Sequence, residues 1–132
     1  MQNYLETIEE LAKSANLRKG EIIKFTQEVL GNSSKALNCD RCNVWLFENN
    51  QTELVSLLSY KKVNDLFSNE NSLHKEQLPK YFKFLKKNEL IVSNNAKIED
   101  INSELLESYI IPNEITAMID VPLRSEGEMI GV

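Results

Sequence analysis

Two cysteines, one histidine and a few carboxylates set among apolar residues are the groups in this 132-residue chain that could do chemistry. Cys39-Asp40-Arg41-Cys42 has the C-x-x-C spacing. A redox pair of that spacing needs a helix N-terminus to lower a thiol pKa, whereas this one follows a helical pattern and enters a strand. Half of a zinc site would need a second Cys or His pair, and His74 is the sole histidine. Cys42 therefore reads as a structural cysteine, since a free thiol behaves as a small hydrophobe. His74 precedes a helical pattern. It could read a ligand carboxylate or phosphate through a charge-assisted bond, or it could serve as a surface or helix-capping residue. Asp120 lies inside the apolar run Met118-Ile119-Asp120-Val121, where an unpaired charge is expensive. It must face solvent or meet a partner, either a ligand amine or a protein donor. Asp100 reads as the N-cap of a helix beginning at Ile101. Tyr60 and Tyr81 carry polar tips suited to lining a cavity.

These residues do not assemble into a recognisable catalytic set. One histidine gives no Ser-His-Asp grouping, and four glycines form no phosphate loop. No enzyme activity, metal or cofactor is expected. The balance of 15 Lys+Arg against 20 Asp+Glu, net −5, disfavours a nucleic-acid footprint and offers no polybasic membrane anchor. No apolar run approaches the ~20 residues of a membrane span, and the acidic start of the chain lacks the layout of a secretory signal. A reducing, cytoplasmic setting is expected. With 42% hydrophobic residues, the chain suits one globular domain.

The elements that must position these groups are legible as periodicities. Residues 3–16 predict a helix, with Leu5, Ile8, Leu11, Ala12 and Ala15 recurring every three or four positions. Leu5, Ile8, Ala12 and Ala15 also fit two heptads of an a/d seam, the pattern of a helix that pairs with a copy of itself. Packing on its own domain is equally open. A second helix is predicted over 19–37, with Ile22, Ile23, Phe25, Val29, Leu30, Ser33, Ala36 and Leu37 on its buried side. Arg41–Glu48 and Glu53–Lys61 alternate as strands about the turn Asn49-Asn50-Gln51. Residues 63–73 read as a polar loop. A third helix is predicted over 76–87 with Leu78, Tyr81, Phe82 and Leu85 on one side, then a strand over 89–93. A fourth helix over 101–110 stops before Pro112. A strand over 117–124 turns at Ser125-Glu126-Gly127-Glu128 into a return strand. Two hairpins with helices between them predict an α+β fold built on an antiparallel sheet. The long excursion between the hairpins would enclose a pocket.

Several segments resemble a known family in consistent order from Ala36 to Val132. Ala36-Leu37-Asn38-Cys39-Asp40-Arg41-Cys42-Asn43-Val44-Trp45-Leu46-Phe47 is similar to the helix-to-strand passage of bacterial GAF domains. Leu78-Pro79-Lys80-Tyr81-Phe82 with Leu85 resembles their Y-P-x-Y-F-x-x-L helix. The run Ser108-Tyr109-Ile110-Ile111-Pro112 through Ile115-Thr116-Ala117-Met118-Ile119-Asp120-Val121-Pro122-Leu123-Arg124 is the closest match, and Gly127–Val132 fits the following strand. The resemblance implies a GAF-like, PAS-related antiparallel sheet with helices on both faces and a ligand cavity under an outer helical layer. It divides the chain into a linker or dimerisation helix over 1–17 and a GAF domain over 18–132. That domain is expected to be C-terminally incomplete, lacking the rest of its last strand and a final helix. An unfinished strand would leave backbone groups unpaired, so either a destabilised monomer or completion of the sheet edge by another chain is expected.

By the same resemblance the chain is a regulatory sensor of a cytoplasmic signal-transduction protein. An unidentified small molecule would contact Tyr60, His74, Tyr81, Phe82, Met118 and Asp120. The ligand state would pass through flanking helices to an output domain such as a kinase, cyclase or phosphodiesterase, with a homodimer formed by the N-terminal helices. The resemblance also places a histidine near the pocket mouth in many relatives, at about His74. The bilin attachment cysteine is missing from Ser72-Leu73-His74, and neither the cyclic-nucleotide signature nor the cysteine segment of the sulfoxide-reducing members is present. The alternative is a ligand-free dimerisation or scaffold module, its cavity filled by side chains such as Phe82 and Met118.

Overall fold

Alternation with a period of two makes Arg41–Glu48 and Glu53–Lys61 the strands β1 and β2, with the bounds that the sequence predicts. Three consecutive residues, Asn49, Asn50 and Gln51, hold φ of 51°, 54° and 63° to turn the chain between them. Asparagine tolerates this left-handed region, which accommodates the first two positions. Thr52 Oγ1 donates to the Asn49 carbonyl at 2.7 Å and Asn49 Nδ2 donates to Glu53 at 2.6 Å.

The computed structural model describes residues 4–87 and 90–132, and the backbone gathers into two compact units. The first draws on the chain up to Trp45 and on Ser56–Asn71; the second comprises Leu46–Val55 and Ser72–Val132. Strands β1 and β2 run through both.

In the first unit, the expected N-terminal helix is two helices, α1 (Tyr4–Ala12) and α2 (Ala15–Arg18). Ser14 ends the first and starts the second, its hydroxyl accepting from the Asn16 amide at 3.2 Å. Both pack on α3 (Ile22–Leu37). Helix α3 buries Thr26, Leu30 and Ser34, a stripe at four-residue spacing. The hydroxyls on that stripe are satisfied by backbone carbonyls, Thr26 by Ile22 at 2.7 Å and Ser34 by Cys39 at 2.6 Å. Polar residues can therefore occupy positions that hydropathy assigns to Ile22, Ile23 and Leu37, and those three are exposed. On α1 the buried residue is Thr7, while Tyr4, Leu5 and Ile8 are exposed.

The expected loop over 63–73 is more ordered than its composition predicts. A 3-10 turn over Lys62–Asn64 and Asp65 at φ 49° reverse the chain. Leu66–Ser68 then forms β3, antiparallel to β2. The Tyr60 hydroxyl donates to Asp65 Oδ1 at 2.7 Å, holding the reversal closed. Leu30, Leu58 and Tyr60 form the core here, with Cys42, Val44 and Phe67 against it.

In the second unit, β4 (Leu73–His74) pairs with the start of β2, Glu53 opposite His74. Helix α4 is Pro79–Lys87, and β5 is Ile91–Ser93; Glu89, the expected start of that strand, lies outside the described residues. The fourth helix is 3-10 over Asp100–Leu105 and π-helical over Leu106–Ile110. Asp100 is its first residue, preceded by Glu99 at the cap position with no side-chain capping bond, which corrects the expected role of Asp100. The single strand expected over 117–124 is two. Met118–Asp120 (β6) pairs with β5 in a separate two-stranded ribbon, and Leu123–Ser125 (β7) pairs with β8, Glu128–Gly131. Pro122, between them, has no amide to offer a ladder. Strand β8 also pairs with β1, Leu46 opposite Gly131. The larger sheet runs β3-β2-β1-β8-β7, with β4 also on β2. The fold is α+β with antiparallel pairing in every described register.

Candidate functional site

The ribbon β5–β6 carries the charged group that the sequence singles out. Ile91 faces Asp120, Val92 faces Ile119, and Ser93 faces Met118. Paired residues share a face, and burial identifies the inner one. Ile91 and Ser93 are buried and Met118 and Asp120 are half-buried, while Val92 and Ile119 are exposed. Asp120 therefore points inward, toward Tyr81 on α4. Burial pushes its carboxyl up to about 6, and the Tyr81 hydroxyl bonded to it pulls the other way. The Tyr81 phenol is held well above its ordinary value, first by burial, then by the Asp120 charge and by Tyr109. Asp120 Oδ2 is buried and accepts no hydrogen bond among the described residues.

A second buried acceptor belongs to the same face. Asn102, only 1% exposed, donates through Nδ2 to Ser93 Oγ at 3.0 Å and to the Ala96 carbonyl at 3.3 Å. A carbonyl can only accept, so this pairing fixes which end of the amide is nitrogen. Asn102 Oδ1 is left buried and without a partner among the described residues. Ser93 stands opposite Met118 and diagonal to Asp120, within the ~7–8 Å reach of diagonal neighbours across a ladder.

Helix α4 is held over this face from the 3-10 segment. Glu104 accepts from the Tyr81 amide through Oε1 at 2.9 Å and from the Lys80 amide through Oε2 at 3.3 Å. It thus satisfies two amides that a helix start leaves open, and places negative charge at the positive end of the helix dipole. Phe82 is fully buried and meets Phe47 edge-on, ring centroids 5.9 Å apart.

The residues expected to contact a ligand thus divide. Tyr81, Phe82, Met118 and Asp120 belong to this layer of the second unit. His74 is exposed in β4, its carbonyl accepting from the Gln77 and Leu78 amides at 3.0 and 3.1 Å. Tyr60 belongs to the first unit, buried against Phe67 at a centroid distance of 4.8 Å and bonded to Asp65. That bond is the first cause holding its phenol above the ordinary value. Cys39 and Cys42 are free thiols with sulfurs 3.3 Å apart, and burial pushes Cys42 up to about 12. A groove of about 410 Å³ runs along the opposite side of α4, lined by Lys80, Lys83, Phe84, Lys87, Asp100 and Ile101. None of the residues expected to contact a ligand lines it.

Asn102, Ser93 and Glu104 were not singled out from the sequence. The available signal for Asn102 was its place three residues before Leu105 on the face that carries the apolar positions. Among the described residues no group of three or more His, Cys, Asp or Glu could hold a metal ion, and no helix is long and apolar enough to cross a membrane.

The fold has a counterpart among solved structures. The chain matches the crystal structure of the GAF domain from Acinetobacter phosphoenolpyruvate-protein phosphotransferase with a TM-score of 0.64, covering 99% of this chain and 75% of that one. The two sequences are 16% identical, so the likeness is one of fold, and the fold is GAF-like. No protein-family model matches the sequence, and no curated protein matches it.

Proposed function

We propose that this chain is a regulatory, small-molecule-sensing GAF module of a cytoplasmic signal-transduction protein. The ligand binds between α4 and the inner face of the β5–β6 ribbon. The observation that carries this reading is Asp120, a half-buried carboxyl bonded to Tyr81 of α4, with its buried Oδ2 unbonded among the described residues. Such a group costs stability, and it is more economically explained as a recognition point than as packing. Glu104 caps the first turn of the helix above it, and the Tyr81 hydroxyl of that helix bonds Asp120, so a ligand that moves α4 would move the segment Asp100–Ile110 with it. A difference in affinity between two positions of α4 is what would let ligand state reach an attached output domain. A thermal-shift screen of nucleotides, amino acids and other small metabolites tests the reading. A compound that raises the unfolding midpoint and loses its effect in Tyr81→Phe supports it.

A ligand-free dimerisation module is the second reading, and a specific observation favours it. Tyr4, Leu5 and Ile8 on α1 and Ile22 and Ile23 on α3 are all exposed, an apolar set suited to pairing with a second copy through the N-terminal helices. Ile8→Lys separates the two readings. A dimer that dissociates in this variant, together with no response to any compound, favours the scaffold.

A further inference from the structure

We propose that the inner face of the β5–β6 ribbon is a receptor for an ammonium group, either the free ammonium ion or the head of a small primary amine, bound by Asp120 Oδ2 and Asn102 Oδ1. The inference rests on the sensing reading above and gives that site its ligand class. Both acceptors are buried and without a hydrogen-bond donor among the described residues; Asp120 lies on the inner side of the ladder, and Asn102 is bonded to Ser93 on that same side. An acceptor left unbonded inside a protein forfeits its hydration, so what completes this face must bring hydrogen. A ligand rich in acceptors, such as a phosphate or carboxylate, would add repulsion to Asp120.

Charge then selects among donors. The described residues offer Asp120 the neutral Tyr81 hydroxyl and no donor at Oδ2. A cationic donor gains both the bond and the neutralisation, and charge-assisted bonds of this kind are roughly twice as strong as neutral ones. The orientation of Asn102 is enforced by the Ala96 carbonyl, so its Oδ1 cannot be exchanged for a donor without breaking that bond. An ammonium nitrogen carries three or four N–H bonds, more than one acceptor can use, and its head is among the smallest of cationic donors.

The test titrates the 132-residue chain at constant ionic strength with ammonium, methylammonium, potassium and tetramethylammonium chlorides, following the unfolding midpoint and the backbone amide resonances of Tyr81, Asn102 and Asp120. Potassium has similar size and charge without N–H groups, and tetramethylammonium has charge with neither N–H nor small size. The expected result is a saturable rise in midpoint and movement of those three resonances with ammonium or methylammonium only. A response to ammonium alone identifies the free ion, and a stronger one to methylammonium identifies an amine. Asp120→Asn, shown to be folded by its own spectrum, is expected to weaken binding about ten- to a hundredfold. An equal response to potassium, an undiminished response in Asp120→Asn, or resonance changes confined to other residues overturns the proposal. If ammonium compounds do nothing while a neutral or anionic metabolite moves the same three resonances, the ligand class is wrong and the sensing reading stands. If nothing moves them, both fall.

Discussion

Replacing Asp120 with Asn should make the ligand-free protein more stable at neutral pH, and the gain should vanish in acid. The carboxyl titrates at about 6 in the folded chain against an ordinary value of 3.8. Its folded pKa is raised, so the folded state holds the proton more tightly than the unfolded state. The stability contributed by that proton is fully present below about 3.8 and is lost as pH rises through about 6. The difference between the two values is worth about 3 kcal/mol. Asn keeps the shape of the protonated acid and cannot ionise, so it escapes the loss. Urea unfolding of both proteins from pH 4 to pH 8 gives a difference curve in which the other carboxylates cancel. The curve should be small at pH 4, rise through its midpoint at about pH 5, halfway between the two values, and level off above about pH 6 near 3 kcal/mol in favour of Asp120→Asn. A flat curve, or a variant that is less stable at pH 8, would refute the reasoning by showing that Asp120 has a compensating donor or faces water.

Glu104→Ala should cost about 0.5–2 kcal/mol, the range for losing a helix cap, while Glu104→Gln, which can still accept at one oxygen, should recover part of it; urea midpoints of the three proteins decide. Phe82→Ala should cost about 3–5 kcal/mol, because the ring is wholly buried against Phe47, and loss of a cooperative melting transition at 37 °C would be its sign. Cys42, pushed up to about 12, should resist iodoacetamide at pH 7.5, since only the thiolate reacts; modification at the rate of a free peptide thiol would contradict its burial.

The hairpin β1–β2 was readable to the residue because its information is local: alternation fixes the strands, and two asparagines tolerant of positive φ mark the turn. Helix α4 was readable as amphipathic, with Tyr81, Phe82 and Leu85 inward, for the same reason. What was not readable depends on partners distant in the chain. Thr26 and Ser34 find their carbonyls within the helix and just past its end, but which face of α3 turns inward, and so displaces the isoleucines from the inner stripe, is set by the elements that pack on it. Pro122 is a local signal for breaking a strand, but an uninterrupted apolar run on either side of it reads as one strand. Of the candidate site, Asp120 stood out because charge inside an apolar run is conspicuous. Asn102 did not, because an amide beside leucines looks like any surface position until Ser93 and Ala96 are brought to it.

The acceptor for the first turn of α4 lies far downstream, at residue 104, and this constrains the order in which the chain can acquire structure. A nine-residue helix is marginal by itself in water. During synthesis from the N-terminus, α4 must emerge before the carboxylate that secures it. It should therefore remain provisional, forming and melting, until residue 104 has left the ribosome, whereas the β1–β2 hairpin, complete by Lys61, has no such wait.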